Sequence, residues 1–364
     1  MKRVLSIVLV LLLAAALVAC TKTVEVDENT YADGDQYEYI GGELNVLNWG
    51  EYIDEELIAL FEQETGVKIN YIEMISNEDM LTKMRSADSD IDLCFPSDYI
   101  IEQMIREDML QPLDMSKIPN AKNIDPKMMA ITDSFDPGNK YSLPYMWGTV
   151  GILYNTTMVD EEVDSWGILW NEKYAGQVWM YDSDRDSIGI TLKYLGYQMN
   201  TRNEDEINEA ADKLIEQAPI RKGWGTDDLR STMINGKAAM CVLYSGDALA
   251  CMDANKDLAY VVPKEGSNVW FDNVIIPKTA KNVEAAHAFI NFLNDGNLAA
   301  RNTEYIYYST PNKAAMDRLD ADFTEDETYN PPQDVLDRCE VFHDLGKEFT
   351  AVFLKAWFRV KSSN

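Results

Sequence analysis

The sequence predicts an α/β protein of two lobes, in which each lobe is a mixed, mostly parallel sheet flanked by helices and a ligand cleft separates the lobes. Three observations lead to this fold class. Strand-like and helix-like segments alternate between residues 44 and 95, the alternation resumes after Gly151, and a length of 364 residues gives about two domains. Because parallel strands need crossover helices that cover both faces, a β-α-β-α-β order favours a parallel sheet.

The first unit contains three strands and two helices. Its predicted strands are 44–49, 67–74 and 91–95, and its predicted helices begin at Asp54 and Asn77. Asp54 is a typical N-cap with acidic residues in the turn that follows, and Gly66 is a typical helix stop. The third strand is apolar throughout, as expected of a strand that is buried on both faces.

The second unit follows Gly151. Its predicted strands are 177–181, 238–244, 258–262 and 270–276, and its predicted helices lie near 189–199, 204–217, 227–235 and 283–293. The helix over 227–235 is the best marked, because Thr226 stands at its predicted N-cap and Gly236 lies directly beyond its end.

The composition is that of an ordinary globular protein, with 46% apolar and 26% charged residues, which excludes disorder for most of the chain. The formal net charge is −30 and the isoelectric point is near 4.3. Because such a surface repels phosphate groups, we expect no nucleic acid partner. The acidity would concentrate cations near the protein, although it is equally well explained by solubility alone.

The amino terminus has the features of a secretory signal peptide. A basic start precedes a mainly apolar run over 4–18, which is short for a membrane span and ends in small residues. The segment Leu17-Val18-Ala19-Cys20 resembles a bacterial lipobox, which implies removal of residues 1–19 and a lipid on Cys20. Such a lipid would hold the protein on a membrane surface, and the polar, acidic residues 20–40 would form a flexible tether. An ordinary signal peptide with an accidental cysteine is the alternative.

Four further cysteines are Cys94, Cys241, Cys251 and Cys339. They show no CxxC spacing and are too sparse for a disulfide framework in a chain of this length. Cys94 and Cys241 lie in predicted buried strands, where cysteine acts as a small hydrophobic residue. A bridge between Cys241 and Cys251 stays open. We expect no metal site and no cofactor.

Aromatic residues stand beside carboxylates or hydroxyls at four points where predicted strands end. These stretches are Asn48-Trp49-Gly50-Glu51-Tyr52, Pro96-Ser97-Asp98-Tyr99, Tyr181-Asp182-Ser183-Asp184-Arg185-Asp186 and Trp270-Phe271-Asp272. In open α/β sheets, ligands bind beyond the carboxyl ends of the strands. Ring faces and fixed negative charges at such a place suit a small organic cation, because a cation is attracted by the face of an aromatic ring.

Eight segments, taken in order, resemble the polyamine-binding proteins of bacterial ABC importers, the spermidine/putrescine receptors. The segments are Asn48-Trp49 with Glu51-Tyr52, Pro96-Ser97-Asp98-Tyr99, Leu143-Pro144-Tyr145-Met146-Trp147-Gly148-Thr149, Arg185-Asp186 leading to Leu195-Gly196-Tyr197, Val262-Pro263-Lys264-Glu265-Gly266, Trp270-Phe271-Asp272, Ile276-Pro277 and Tyr308-Ser309-Thr310-Pro311-Asn312. Each segment is modest alone, but the ordered set is specific and extends over about 44–361. The resemblance implies a two-lobed, type II periplasmic-binding-protein-like fold that closes about a hinge, with one lobe at 40–147 plus 272–316 and the other at 148–271 plus 317–364.

The resemblance also implies the ligand-binding residues and the partners. The residues are Trp49, Tyr52, Ser97, Asp98, Tyr99, Asp182, Asp186, Tyr244, Trp270, Asp272 and Tyr308. Rings would pack on the methylene groups of a linear polyamine, and carboxylates would bind its ammonium groups. The implied partners are ABC permease subunits with a cytoplasmic ATPase. The receptor itself would be a monomer outside the cytoplasm and would not be an enzyme.

The chain departs from the family pattern at Gly50, where a hydroxyl is frequent, at Phe342-His343, where the family can place a glutamine, and at Ser183 and Tyr244. A carboxylate that is frequent in the family is replaced by Ser183, with Asp182 and Asp184 on either side. Tyr244 stands where a tryptophan is common, and tyrosine attracts cations less strongly. Whether spermidine or putrescine is preferred therefore stays open, as does which of the two aspartates replaces the missing carboxylate.

The remaining tryptophans are predicted to be mainly structural. Trp147, Trp166, Trp170 and Trp179 are expected in the core or the hinge. Trp224 stays undecided, because a glycine on each side indicates a loop that could face the cleft.

Other classes of function stay open from the residues alone. Aromatic platforms with paired carboxylates also suit a surface glycosidase, although the chain has no HExxH, GxSxG or P-loop motif. Tyr307-Tyr308 resembles the adjacent tyrosines of ferric-ion receptors. The alternating aspartates of 182–186 resemble a calcium loop, but Ser187 stands where that loop needs glycine. A receptor for another small cation, or a polyamine sensor that does not import, is compatible with the same residues.

Overall fold

The computed structural model describes residues 23–27, 29–32, 37–86 and 88–363. The predicted signal peptide and Cys20 lie outside these residues. Within them, no helix has both the length and the apolarity that crossing a membrane requires.

The described residues form one sheet of nine strands, eight of which lie along a single path of hydrogen-bonded neighbours. The strands are β1 Glu43–Trp49, β2 Lys68–Met74, β3 Leu93–Cys94, β4 Ser142–Asn155, β5 Val178–Tyr181, β6 Arg221–Gly225, β7 Met240–Tyr244, β8 Leu258–Val261 and β9 Val269–Ile275. The path runs β2-β1-β3-β9-β4-β7-β5-β6, and β8 pairs with β4. β1 is parallel to β2 and β3, and β5 is parallel to β6 and β7, whereas β4 and β9 are antiparallel to their neighbours. The sheet is therefore mixed, as predicted.

Helices flank the strands throughout the described ranges. They are α1 Glu55–Thr65, α2 Asn77–Met84, α3 Asp98–Arg106, α4 Pro126–Thr132, α5 Asp184–Tyr194, α6 Glu204–Glu216, α7 Asp228–Ile234, α8 Ser245–Ala254, α9 Val283–Leu293, α10 Gly296–Ile306, α11 Lys313–Met316, α12 Ala321–Thr324, α13 Gln333–Leu336 and α14 Gly346–Ser362. Short 3-10 helices lie at Met115–Lys117, Pro119–Asn123, Trp166–Trp170 and Glu172–Tyr174. Asp54 caps α1 as predicted, because its side chain accepts the Glu56 N–H at 2.8 Å, and Gly66 ends α1 in the left-handed conformation.

The long strand β4 links two groups of strands. Residues 142–149 pair with β9, whereas 150–155 pair with β7 and β8. β4 and β9 therefore run through the middle of the sheet, with β1, β2 and β3 on one side and β5, β6 and β7 on the other. The sequence did not predict this strand, because nearly all its residues are buried and Pro144, Gly148 and Gly151 interrupt the apolar pattern.

The core beside the first group of strands forms where α1 packs against α9. The Phe61 ring lies edge-on to Phe289 and Phe292, with centroid separations of 4.8 and 5.3 Å, and all three side chains are buried. Aromatic pairs of this kind stabilise a core by about 0.5–1.5 kcal/mol beyond the burial of their area. The amphipathic pattern that predicted both helices thus identifies the faces that meet.

Three cysteines are buried with free thiols. Cys94 in β3 and Cys241 in β7 lie in strands, as predicted. Cys251 in α8 is also free. The bridge to Cys241 that the sequence left open is therefore not formed in this structure.

The described part of the predicted tether packs against the domain. Tyr31 is buried and its ring contacts Tyr37, which in turn lies edge-on to Phe292 of α9 at 5.4 Å. The prediction of a flexible tether did not anticipate these contacts, because two tyrosines within an acidic segment give little apolar signal.

Helix α5 begins at Asp184, earlier than the predicted helix near 189–199. Ser183 is its N-cap and accepts the Asp186 N–H at 3.2 Å, so the acidic stretch forms the first turn of a helix. Acidic residues in a first turn are favoured by the positive end of the helix macrodipole. The stretch that the sequence placed between the end of a strand and a later helix is thus already helical from Asp184.

Two further sequence predictions were wrong in detail. Residues 221–225 form strand β6, although the glycines beside Trp224 indicated a loop. Helix α7 has Asp227 rather than Thr226 as its N-cap residue. The Thr226 N–H instead donates to the Asp228 carboxylate at 2.9 Å, so this threonine belongs to the turn before the helix.

Candidate ligand-binding site

Four aromatic side chains form a row where the two groups of strands meet. Tyr52 follows β1, Tyr308 follows α10, Trp270 lies in β9 and Tyr244 ends β7. Successive rings meet edge to face, with centroid separations of 5.5 Å from Tyr52 to Tyr308, 5.3 Å from Tyr308 to Trp270 and 5.7 Å from Trp270 to Tyr244. We call these four residues the aromatic row. All four were predicted as ligand-binding residues, and the structure brings them together.

Two glycines leave the space that the aromatic row occupies. A Cβ atom on Gly246 would lie 2.3 Å from the Tyr308 ring, and one on Gly148 would lie 2.7 Å from the Trp270 ring. Both separations are shorter than real Cβ contacts, so a side chain at either position would displace a ring. Tyr307 is the C-cap of helix α10, and its left-handed φ of 65° turns the chain directly before Tyr308.

The buried carboxylate of Asp272 lies at one end of the row. Its Oδ2 accepts a hydrogen bond from the Tyr52 hydroxyl at 2.9 Å, and its Oδ1 accepts one from Ser97 Oγ at 2.6 Å. The Asn77 amide donates to Ser97 Oγ at 3.0 Å and so holds this hydroxyl in place. Burial raises the pKa of Asp272 to about 6, and the two hydroxyl donors limit the rise.

The carboxylate of Asp186 lies at the other end of the row. The Tyr244 hydroxyl donates to its Oδ2 at 3.0 Å, whereas its Oδ1 is buried and has no hydrogen-bond partner among the described residues. Burial raises the pKa of Asp186, and the hydroxyls of Ser183 and Tyr244 oppose the rise. A buried carboxylate oxygen without a donor is costly, so a donor supplied by a ligand would relieve that cost.

Two buried carboxylates at opposite ends of a row of rings suit a cation with two charged ends. Asp186 and Asp272 both accept side-chain hydrogen bonds from neutral hydroxyl groups. A buried carboxylate needs a cationic partner to offset its lost hydration, and a hydroxyl offsets only part of that loss. The arrangement can therefore bind ammonium groups at its ends and an apolar stem along the rings between them.

Asp98 lies behind the row. The backbone N–H groups of Tyr99 and Phe271 donate to its two oxygens at 2.7 and 3.1 Å, and the residue is fully buried. Burial raises the pKa of Asp98 to about 8, and the two backbone donors oppose the rise. Because Phe271 stands between Trp270 and Asp272 in β9, this contact helps to position both of them. A direct contact of Asp98 with ligand stays a prediction.

Tyr99 and Trp49 lie outside the aromatic row. The Tyr99 hydroxyl donates to Glu78 at 3.1 Å, and the Arg185 guanidinium lies 5.3 Å from the centroid of its ring. The Trp49 indole donates to the Phe95 carbonyl at 3.0 Å. These contacts hold both rings beside the site, and their contacts with ligand stay predictions.

The acidic stretch of 182–186 is divided between the site and the surface. Asp182 is exposed and forms an ion pair with Lys361 at 2.7 Å, so the structure does not bring it to the row. Asp184 is half-buried, and its pKa is raised by burial and by the nearby charge of Glu78. In the part of the chain that the structure describes, no three His, Cys, Asp or Glu side chains are grouped so as to hold a metal ion.

The tryptophans predicted to be structural lie outside the row. Trp147 and Trp166 are buried, and Trp170 stacks on Tyr194 at 5.0 Å. The sequence left Trp224 undecided. Its ring packs edge to face on Trp357 of helix α14, with a centroid separation of 4.6 Å. Its role in the structure is therefore packing.

Sequence reasoning missed a carboxylate and an arginine next to the row. Asp247 is 8% exposed and lies beside the Tyr308 hydroxyl, and burial raises its pKa to about 6. The Arg230 guanidinium lies 3.6 Å from Asp247 Oδ1 and 3.0 Å from Glu51 Oε2. The sequence carries a signal for Asp247, because strand β7 ends at Tyr244 and an acid follows three residues later, as at other strand ends.

The chain is similar to known bacterial solute-binding proteins. The family described as bacterial extracellular solute-binding protein matches residues 56–331. The spermidine/putrescine-binding periplasmic protein of Escherichia coli strain K12 is 35% identical over 305 residues, which are 83% of this chain and 87% of that protein.

Solved structures have a similar fold. A Listeria monocytogenes protein, assigned provisionally as a spermidine/putrescine ABC transporter, matches with a TM-score of 0.84 and 42% identity over 88% of this chain and 99% of that one. The substrate-binding protein of a spermidine/putrescine ABC transporter from Streptococcus pneumoniae matches with a TM-score of 0.79 and 40% identity over 89% of this chain and 99% of that one.

Proposed function

The chain belongs to the family of bacterial extracellular solute-binding proteins, and we propose that it is a receptor for linear polyamines. The proposed ligands are spermidine and putrescine, which are the ligands named for the similar proteins of Escherichia coli and Streptococcus pneumoniae. The receptor would deliver the captured polyamine to ABC permease subunits that a cytoplasmic ATPase drives.

Family membership confirms the coarser predictions from the sequence. The likeness to solved structures, with TM-scores of 0.84 and 0.79, confirms the two-lobed type II solute-binding fold. A family of solute-binding proteins is a family of receptors, so the prediction that the chain is not an enzyme is confirmed and a glycosidase is not favoured. The extracytoplasmic location is confirmed by the same family and by its periplasmic relative.

The observation that carries the polyamine assignment is the pairing of Asp186 and Asp272 at the two ends of the aromatic row. Polyamines have ammonium groups joined by methylene segments. Each carboxylate provides a partner for one ammonium, and Oδ1 of Asp186 is buried without any other donor in the described chain. The four rings between them provide apolar surface for the methylene segment and π faces for the charges.

The energies of these contacts are sufficient for useful affinity. A cation over the face of a desolvated ring contributes about 0.5–2 kcal/mol. A charge-assisted hydrogen bond contributes about 1.5–3 kcal/mol. Several contacts of each kind, reduced by the cost of association, are compatible with a dissociation constant near 1 μM, which corresponds to about −8 kcal/mol.

Lobe closure is the proposed mechanism of capture. Tyr52 and Asp272 lie in the proposed first lobe, 40–147 plus 272–316, and Tyr244 and Asp186 lie in the proposed second lobe, 148–271 plus 317–364. A ligand that contacts both lobes binds the closed state more tightly than the open state, and this difference in affinity is what drives closure.

We also infer that the receptor is a monomer held at the membrane by a lipid on Cys20. The lipid is supported by the short apolar run that ends in Leu17-Val18-Ala19-Cys20. This segment lies outside the described residues. A single acyl chain holds a protein weakly and two or more hold it stably, so a diacylglyceryl group would keep the receptor near its permease.

Calorimetric titration of the purified protein with spermidine, putrescine and cadaverine tests the proposed function. We expect at least one amine to bind with a dissociation constant near or below about 1 μM. 1,4-Butanediol is the matched control ligand, because it has the carbon chain of putrescine without the charges, and it should not bind. The absence of heat and of thermal stabilisation with all three amines would exclude the polyamine assignment.

A further inference from the structure

An arginine at the edge of the aromatic row joins segments from both proposed lobes. Arg230 in α7 contacts Glu51 Oε2 at 3.0 Å and Asp247 Oδ1 at 3.6 Å. Glu51 directly precedes Tyr52, and Asp247 lies beside the Tyr308 hydroxyl. The guanidinium therefore stands next to the Tyr52–Tyr308 part of the row.

The carboxylates around the row differ in the groups that contact them directly, although the nearby charge of Arg185 also opposes the rise in the pKa of Asp186. Asp186 and Asp272 accept hydrogen bonds from neutral hydroxyls, whereas Asp247 faces a guanidinium. The Asp247 side chain is 10% exposed and that of Glu51 is 79% exposed. The contact with the exposed Glu51 contributes little because water screens it, so the contact of the half-buried Arg230 with the buried Asp247 carboxylate is the one that matters for charge in the site.

The backbone on either side of Arg230 holds its two acidic partners, Asp247 and Glu51, in place. Asp247 lies in the first turn of α8, where the positive end of the helix macrodipole favours a carboxylate. Glu51 has a left-handed φ of 50°, which is uncommon for a residue with a side chain. The two acids thus present their charges to Arg230 from the two halves of the molecule.

We propose that Arg230 determines ligand specificity by taking the place of a ligand ammonium beside Asp247, so that the site favours diamines over triamines. This inference rests on the proposed polyamine function. A diamine places one ammonium at Asp186 and the other at Asp272. A third ammonium at the Asp247 end meets the Arg230 guanidinium, and two like charges at short range repel. Specificity that depends on such a repulsive element is a common device in binding sites.

Calorimetric titration of wild type and Arg230→Gln with putrescine and spermidine tests the inference through the ratio of the two dissociation constants. We expect wild type to prefer putrescine. Arg230→Gln should shift the ratio toward spermidine by at least about fivefold, because Asp247 becomes able to bind a third ammonium through a charge-assisted hydrogen bond. Arg230→Lys keeps the positive charge and should keep most of the preference for putrescine.

Two controls separate this role from a general effect of charge or folding. The double variant Arg230→Gln/Asp247→Asn should not show the shift in affinity ratio toward spermidine, because it lacks the Asp247 carboxylate that would bind the third ammonium. Arg85→Gln removes the same charge from an exposed ion pair with Glu107 and should leave the ratio unchanged. Thermal unfolding of each variant shows whether it is folded.

The outcomes distinguish this inference from the proposed function. If both amines bind wild type and the ratio is the same in Arg230→Gln, or if wild type prefers spermidine, the role of Arg230 is overturned and the polyamine assignment stands. If wild type binds neither amine, the polyamine assignment is overturned and this inference with it.

Discussion

The Tyr244 hydroxyl donates a 3.0 Å hydrogen bond to Oδ2 of Asp186 and leaves the other oxygen of that carboxylate buried without a partner in the described chain. Tyr244 ends strand β7 and Asp186 lies in the first turn of α5, so two neighbouring elements fix one ring relative to one charge. In the proposed site, this relationship would position the first ammonium of a ligand.

Asp186→Asn should weaken polyamine binding at least about tenfold, which is about 1.4 kcal/mol, because the amide has no charge to offset that of an ammonium. Tyr244→Phe should have a smaller effect, because the ring remains and only the hydroxyl is lost. Calorimetric titration measures both. Asp182→Asn is the matched control, since Asp182 is exposed and paired with Lys361, and it should bind as wild type does. Equal losses in the Asp182 and Asp186 variants would contradict the site.

Trp270→Ala should weaken polyamine binding at least about tenfold, because the indole is the largest ring of the row and the strongest partner for a cation. Trp270 is 7% exposed, so truncation also removes core packing and the thermal unfolding midpoint should fall. Trp270→Phe keeps an aromatic ring and should bind with intermediate affinity. Trp170→Phe is the control, because Trp170 stacks on Tyr194 outside the aromatic row, and its affinity should equal that of wild type. If Trp270→Ala binds polyamines with wild-type affinity, the aromatic row is not the ligand-binding site.

Gly246→Ala should weaken binding without unfolding the protein. The new Cβ would lie 2.3 Å from the Tyr308 ring, so the ring must move away from Tyr52 and Trp270. Gly50→Ala is a suitable control, because its Cβ would meet nothing closer than the Glu73 carboxylate at 3.8 Å. Titration and thermal unfolding of the two variants measure affinity and stability separately. An unchanged affinity in Gly246→Ala would show that the position of Tyr308 does not matter for binding.

Polyamine affinity should rise between about pH 5 and pH 7. Burial raises the pKa of Asp272 from an ordinary value of 3.8 to about 6, and it also raises the pKa of Asp186. Folded, unliganded protein thus holds protons that the unfolded chain releases, so its stability falls as the pH rises from about 4 to about 6. A cationic ligand binds the ionised carboxylates, so affinity changes in the opposite direction and binding releases protons.

Titration in buffers of different ionisation enthalpy measures that proton release directly. Near pH 6 we expect a net release of protons on binding, and Asp272→Asn should release fewer. Affinity that is independent of pH over this interval, with no proton release, would mean that the buried carboxylates do not bind the ligand.

Cys20→Ser should move the receptor from the membrane fraction to the soluble fraction of cells that export it. The reason is that the proposed lipid is attached to the thiol of Cys20, and serine has no thiol. Mass spectrometry of the mature amino-terminal peptide checks the same point, because a diacylglyceryl group adds a large mass. A wild-type protein whose amino-terminal peptide carries no lipid would rule out the anchor.

The aromatic row could be predicted from the sequence because Tyr52 and Tyr244 stand at or just beyond strand ends, and because Trp270 and Tyr308 lie in segments that resemble the family. The segments that resemble the family contain Tyr52, Trp270 and Tyr308, whereas Tyr244 stands where the family commonly has a tryptophan. Local patterns of this kind need only the strand period and the position of its end. The rings are therefore the part of the site that sequence reasoning located best.

The roles of the acids could not be predicted with the same success. Asp98, Asp182 and Asp186 look alike in the sequence, since each follows a predicted strand. The structure separates them, because Asp98 accepts backbone N–H groups, Asp182 pairs with Lys361, and Asp186 faces Tyr244. Each partner lies in a different element, and which elements meet depends on tertiary packing.

Strand β4 and Arg230 were missed for a related reason. β4 is buried along almost its whole length, so it shows no alternation of apolar and polar residues. Arg230 lies on a helix that the sequence predicted, but its partners Glu51 and Asp247 are distant in the chain. Local sequence carries no signal for ion pairs between residues that are far apart in the chain.

A crystal structure of the protein with putrescine would show whether Asp186 and Asp272 bind the two ammonium groups of one ligand. We expect one ammonium nitrogen within about 3 Å of Asp186 Oδ1, the other beside Asp272, and the methylene segment against Trp270 and Tyr308. A diamine bound elsewhere, with Asp186 Oδ1 still unpaired and the rings packed only on one another, would contradict this prediction.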